Sequence, residues 1–351
     1  MDSDTRAAVD ERAVSDATAE LETALRVVLA ERFGAAVRVQ GLRRLTGGAS
    51  RETWTFDAID AGGTRHPLIL RRDFPGAGRL SLSALLGVED ELDRAGEFAL
   101  LRTLAGAGLP VPRPILLPAG RVGLDACFIM ERVDGEGLPQ RLLRDEAYAQ
   151  ARARLPEQLG EVLARIHAFG PSDLPPVPDH PPARQIDMAR RMAALGPAPR
   201  PVFEMALRWV EERSPQQPAR RLVHGDFRNG NFLVGPEGLR AILDWEYAHL
   251  GDPMEDLAFL CLKPWRFGNV AAEAGGFGPR ASLYRAYERA TGMPVQPEAV
   301  RFWEVLCTLK WGALCVMRGM AHVLGMQRSV EAAAIGRRVV ETEHDLLELM
   351  E

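Results

Sequence analysis

The run Leu222-Val-His-Gly-Asp-Phe-Arg-Asn-Gly-Asn-Phe-Leu-Val234, followed by Ala241-Ile-Leu-Asp-Trp-Glu246, constrains this chain more than any other segment. It sets an aspartate (Asp226), an asparagine five residues later (Asn231) and a second aspartate (Asp244) between apolar stretches. Asn231 and Asp244 offer hard oxygens, the donor type magnesium prefers, and few are needed where phosphates and water complete an octahedron. Leu222-Val223, Phe232-Leu233-Val234 and Ile242-Leu243 read as short strands that hold the intervening loops rigid. His-Gly-Asp alone is a common turn, and an Asp before Trp is ordinarily a surface or capping residue. Order and spacing together, with Asp244 placed 18 residues after Asp226, set the segment apart.

The remaining chain leaves room for such a site. Its 351 residues suit two domains better than one, and 46% hydrophobic with 26% charged residues is ordinary for a globular protein. A net charge of −5 gives no overall attraction to nucleic acid or an anionic membrane, so neither is expected as a partner. Cys127, Cys261, Cys307 and Cys315 lie far apart without metal-ligand spacing and read as buried free thiols of a reducing compartment. The first ten residues lack an apolar signal core, and Trp311–Met317 is too short to span a bilayer. A cytoplasmic location follows as the expectation.

Along the chain, residues 1–15 read as a flexible tail, and Leu21, Leu25, Val28 and Leu29 give helical spacing from Thr18 to Phe33. Strands are expected over 37–45, 52–56, 66–71, 115–117 and 126–130, with a helix over 89–107 between the third and fourth. The Gly-, Ser- and Leu-rich stretch 73–88 reads as a mobile flap. After Asp134-Gly135 helical patterns dominate: 155–169, 186–195, 202–212, 283–291, 299–320 and 330–349. A proline-rich linker, 171–182, interrupts them.

His224-Gly225-Asp226 with Asn231, Asp244-Trp245-Glu246, and Gly251-Asp252-Pro253 with Asp256-Leu257-Ala258 resemble the aminoglycoside phosphotransferase and choline-kinase-like family, which shares the protein-kinase fold. The resemblance in order and spacing runs from about Gly41 to the C-terminus. It implies an α+β, protein-kinase-like two-lobed fold: a five-stranded antiparallel nucleotide-binding lobe with one helix over 16–133, then a mainly helical lobe over 134–351 carrying the catalytic and metal loops. Gly225 stands where protein kinases usually have arginine, and Trp-Glu follows the metal aspartate where they have Phe-Gly. Both departures resemble the small-molecule kinases.

The resemblance further implies ATP and Mg2+, with Asp226 on the acceptor hydroxyl and Asn231 and Asp244 on the metal. Arg228, inside the loop, is a candidate for phosphate or substrate contact, with a structural salt bridge as the alternative. His224 reads as loop scaffold, and Asp252 and Asp256 resemble turn and helix-cap residues. On the nucleotide side, Gly47, Gly48 and Ser50 lie in a turn where backbone N–H groups can approach phosphate, although a plain hairpin turn has the same composition. The usual strand lysine is absent. Arg71 aligns best with it and can grip phosphate bidentately; a solvated strand end is the alternative. Glu97 is its expected ion-pair partner and Glu91 the rival. Met130, Glu131 and Val133 fall where backbone groups would face adenine.

The acceptor is read as a small-molecule hydroxyl. Residues 171–351 hold 23 acidic against 21 basic side chains, a balance that does not favour a polycationic aminoglycoside. The pattern is closest to the branch resembling kinase domains fused to acyl-CoA dehydrogenases, which suggests a hydroxyacyl thioester. A nucleotide-binding pseudokinase stays open as the alternative, supported by Arg71 in place of lysine.

Overall fold

The computed structural model describes residues 3–45, 51–73, 91–118, 120–121, 123–124, 126–216, 219–326 and 328–351, with side chains from residue 17 onward in the first helix. The chain divides into two compact units, Met1–Ser81 with Asp93–Val133 and Leu82–Leu92 with Asp134–Glu351.

In the first unit, helix α1 (Ser3–Phe33) precedes strands β1 (Arg38–Arg44), β2 (Glu52–Ile59) and β3 (Arg65–Arg72). Helix α2 (Arg94–Gly106) then leads to β4 (Pro114–Leu116) and β5 (Cys127–Glu131). The strands form one antiparallel sheet in the order β1-β2-β3-β5-β4. Side chains alternate across a strand, so each strand divides its residues between two faces. Leu68 and Leu70 of β3 and Cys127 and Ile129 of β5 join Trp54, Phe56 and Ala58 in a core sealed by Leu21, Leu25, Val28 and Leu29 of α1. The opposite parity, with Ile69 across from Met130 and Arg71 across from Phe128, turns to the other face. There Phe98 of α2 packs edge-on against Phe128.

Two expectations shift. The backbone of residues 3–15, expected to be a flexible tail, is helical and continuous with the amphipathic part of α1, and among the described residues this unit carries two helices. Alanine, glutamate and arginine support a helix without supplying an apolar stripe, which is why spacing alone missed the start. Helix α2 is described from Arg94, where the Asp93 side chain accepts the Gly96 N–H at 2.6 Å and caps it. Residues 74–90 of the expected flap and helix start lie outside the described residues, as do Gly47, Gly48 and Ser50.

The second unit is mainly helical: α3 (Pro139–Arg144), α4 (Ala149–Ile166), α5 (Pro182–Ala194), α6 (Pro201–Glu212), α7 (Met254–Cys261), α8 (Arg280–Thr291), α9 (Pro297–Val323), α10 (Val330–Arg337) and α11 (Val339–Met350). Helix α9 is buried along most of its length, with Phe302, Trp303, Val305, Leu306, Leu309 and Ala313 all inaccessible. It packs against α5, α6, α7, α10 and α11. Helices α4 and α8 meet at Gly160, where an added Cβ would lie 2.3 Å from the Leu283 carbonyl oxygen. The single helix expected over 330–349 is two. Gly336 approaches Gly319 of α9 so closely that an added Cβ would lie 2.5 Å from the Gly319 Cα. The chain turns at Arg338, whose N–H donates to Ile335 O at 3.0 Å, and both halves follow α9.

Between α6 and α7 lie two strand pairs: β6 (Arg221–Val223) with β9 (His249–Gly251), and the hairpin β7 (Phe232–Gly235) with β8 (Gly238–Ile242). They frame the conspicuous sequence segment. All four cysteines are free and buried. Among the described residues no helix is long and apolar enough to cross a membrane.

Candidate active site

The loop from His224 to Asn231 joins β6 to β7, and the turn carrying Asp244 joins β8 to β9. The two loops are stitched together. Leu243 N–H donates to the Asn231 carbonyl at 2.8 Å. His224 Nε2 lies 2.9 Å from the Leu243 carbonyl, and its Nδ1 accepts the Asp226 N–H at 3.2 Å. A carbonyl only accepts and a backbone N–H only donates, so these partners assign a neutral imidazole protonated at Nε2. The ring is fully buried between Phe227 and Trp245. His224 is therefore a brace between the loops, as its sequence context suggested.

Gly225 has φ +79°, and a Cβ there would fall 2.5 Å from the Tyr247 carbonyl oxygen. An arginine has no room at this position. Asp256 of α7, fully buried, reaches the same turn from behind, accepting the His224 N–H at 2.8 Å and the Gly225 N–H at 3.1 Å. His167 Nε2 lies 3.2 Å from the same carboxylate, and His167 Nδ1 lies 3.0 Å from the Tyr287 hydroxyl. Burial alone would raise the Asp256 carboxyl, but the His167 hydrogen bond and charge, with the hydrogen bond from the His224 backbone N–H, hold it below its ordinary value. The turn reading fits Asp252, which precedes α7 and whose Oδ1 accepts the Met254 N–H at 3.0 Å. Asp256 instead anchors the loop that runs from His224 to Asn231.

Asp226 is half-buried at the loop's tip. Its carboxylate accepts Arg228 Nε at 2.9 Å and Asn231 Nδ2 at 2.7 Å. Asn231 Nδ2 also donates to the Asp226 carbonyl at 2.9 Å. Desolvation pushes the Asp226 carboxyl above its ordinary value; the Arg228 guanidinium opposes this, and the nearby Asp244 charge adds to it. Two carboxylates that disfavour each other's charge form a natural cation site. Asp244 itself sits in left-handed backbone, φ 70° and ψ 59°, a conformation aspartate tolerates better than most residues. Arg228 lies over the Trp265 ring at 4.7 Å while holding Asp226. Asn229, fully buried, donates from Nδ2 to the Gly275 carbonyl at 2.9 Å and fixes the middle of the loop.

In the first unit, Arg71 and Glu97 meet as an ion pair at 3.3 Å. Strand parity turns Arg71 away from the α1 core, and Glu97 lies on the buried face of α2 with Leu100, Leu101 and Leu104. Arg94 also pairs with Glu97, a second cation that sequence reasoning missed. Glu91, the rival partner, instead accepts from the Tyr247 hydroxyl at 3.5 Å. Met130 and Glu131 close β5. The Glu131 and Arg132 N–H groups donate to the Arg113 and Pro67 carbonyls.

The sequence reading left out Arg94 and Trp265 and gave Asp256 the role of a helix cap. For Asp256 the available signal was a pair of adjacent carboxylates, Glu255 and Asp256, inside an otherwise apolar helix start, Met254-Glu-Asp-Leu-Ala-Phe-Leu260.

The model of the phosphotransferase enzyme family matches residues 41–303. Acyl-CoA dehydrogenase family member 11 of Pongo abelii is 29% identical over 281 residues, covering 75% of this chain and 35% of that protein. The chain spans about a third or less of the curated relatives it matches. Among solved structures, one from Ralstonia eutropha JMP134 is 22% identical and superposes with a TM-score of 0.72, covering 93% of this chain and 97% of that one. A thermostable mutant of aminoglycoside phosphotransferase APH(4)-Ia, solved with AMP-PNP and hygromycin B, is 19% identical with a TM-score of 0.58, covering 92% and 98%. These likenesses bear out the kinase-like fold, and with three quarters of its length matched the chain belongs to the phosphotransferase enzyme family.

Proposed function

We propose that this protein is an ATP- and magnesium-dependent kinase that moves the γ-phosphate to a small-molecule hydroxyl. The observation carrying this reading is the convergence of Asp226, Asn231 and Asp244 on two cross-braced loops, with Arg71 and Glu97 paired in the other unit.

Asp226 accepts a hydrogen bond from the acceptor O–H and orients its oxygen for in-line attack. The new bond forms from that oxygen to the γ-phosphorus while the bond to the β–γ bridging oxygen breaks. A carboxylate held partly out of water is suited to take the hydroxyl proton as the P–O bond forms. Arg228, tied to Asp226 and seated on Trp265, places positive charge beside the transferring group. Arg71, oriented by Glu97, grips the nucleotide's other phosphates. The Val133 N–H faces adenine.

The residues fit magnesium. Asn231 commits its amide nitrogen to Asp226, which leaves its oxygen for a cation, and Asp244 adds a carboxylate. When bound, the ion neutralises phosphate charge as it redistributes.

For the acceptor, acyl-CoA dehydrogenase family members 10 and 11 are among the curated relatives that this chain resembles. Together with the near-balanced charge of residues 171–351, this favours a hydroxyacyl thioester over a polycation. The test offers γ-labelled ATP with hydroxyacyl thioesters, choline and aminoglycosides in parallel. Label on the thioester hydroxyl is the expected result; label on choline or an aminoglycoside alone would overturn the acceptor assignment.

A further inference from the structure

Behind the catalytic loop lies a second buried network, built on His249 of β9. Its Nδ1 is 2.8 Å from the Tyr247 carbonyl and its Nε2 is 3.2 Å from Glu255 Oε2. Both the histidine and the glutamate are buried. A carbonyl only accepts, so Nδ1 carries a proton. The other nitrogen is settled by Gln185. Lys310 Nζ donates to Gln185 Oε1 at 2.6 Å, which fixes the amide's orientation, and Gln185 Nε2 donates to Glu255 Oε2 at 2.5 Å. Gln185 Nε2 lies farther from His249 Nε2, at 3.4 Å, than Glu255 Oε2 does at 3.2 Å, and a carboxylate oxygen only accepts. Glu255 therefore receives His249 Nε2–H as well, and both ring nitrogens donate.

We infer that His249 is a positioning residue that works as an imidazolium, pressing the Tyr247 carbonyl against the turn that carries Asp226. The Tyr247 oxygen is the atom a Cβ on Gly225 would strike at 2.5 Å, and His249 Nδ1 would lie 3.2 Å from that Cβ. Adjacent carboxylates of α7 thus hold the loop from two sides: Asp256 through backbone N–H groups, Glu255 through His249. The charged and titratable groups around the ring are Glu255 and Asp256 on α7, Lys310 on α9, whose Nζ lies 4.0 Å from Glu255 Oε1, and His180, stacked at 4.6 Å. Burial alone would favour neutral His249, but Glu255 reverses this and raises the imidazole above its ordinary value. A raised histidine holds its proton past its ordinary value and loses it as pH rises through the raised one, so the brace slackens on the alkaline side.

The direct test is 15N NMR of histidine-labelled protein, with the His249 signals assigned by difference from His249→Gln. At a pH equal to the ordinary imidazole value of about 6.5, more than half of the rings should carry both protons, and the titration should centre above it. A neutral ring at that pH, with Nε2 accepting from Gln185, would overturn the inference. This arm needs no substrate, so its outcome is separate from the kinase reading, on which only the activity arm rests. In that arm, kcat falls with rising pH as His249 deprotonates while KM for ATP holds. Glu255→Gln removes the stabilising charge and moves this fall to lower pH; an unmoved profile in folded Glu255→Gln would contradict the positioning role.

Discussion

Asp226→Asn should lower kcat by about 10²- to 10⁴-fold, the range for removing a positioned general base, while leaving ATP affinity unchanged. Asparagine matches aspartate in shape and still offers an oxygen to Arg228 or Asn231, so the loop keeps its course. What disappears is the charge that accepts the hydroxyl proton. Steady-state kinetics on an accepted substrate, with calorimetric ATP binding on the same sample, separates the two effects. Retained turnover would remove Asp226 from the mechanism. Retained affinity with lost turnover also disposes of the pseudokinase alternative, because a purely binding module has no rate to lose.

The second large effect is on stability. Asp256→Ala leaves the His224 and Gly225 N–H groups and His167 without their acceptor in a site closed to water. Breaking one partner out of a buried, hydrogen-bonded charge pair costs about 3–5 kcal/mol. Urea unfolding should show that loss as a lower midpoint at unchanged slope. Asp256→Asn keeps one acceptor oxygen and should lose less. The pH dependence has a definite sign. The folded carboxyl sits below its unfolded value of about 3.9, so its contribution is complete above that value and is lost as pH falls through the lower, folded one. Wild type should therefore lose stability more steeply in acid than Asp256→Ala. Equal acid sensitivity in the two proteins would contradict the anchor role.

The legible parts of this molecule were the local ones. Asp226, Asn231 and Asp244 lie within a short run whose apolar flanks announce β6, β7 and β8, so spacing alone placed them together. Arg71 and Glu97 were expected as partners through the family resemblance, and they pair because strand parity and helix spacing each put the charged residue on a definite face. Gly225 was noticed as a departure from protein kinases, and the Tyr247 carbonyl supplies its physical reason. The hidden parts depend on contacts distant in sequence. Asp256 reads as a helix cap until its bond to His224, 32 residues earlier, is seen. Lys310 orients Gln185 across 125 residues, and nothing near either residue reports it. The break at Arg338 has the same origin, because Gly336 is exceptional only in meeting Gly319 on another helix.

The most direct test of the central claim is ATP titration calorimetry with and without magnesium, on wild type and on Asp244→Ala. The proposal requires binding that strengthens with magnesium in the wild type, and loss of that strengthening in the variant. ATP binding that ignores both magnesium and the Asp244 substitution would contradict the assignment of this site.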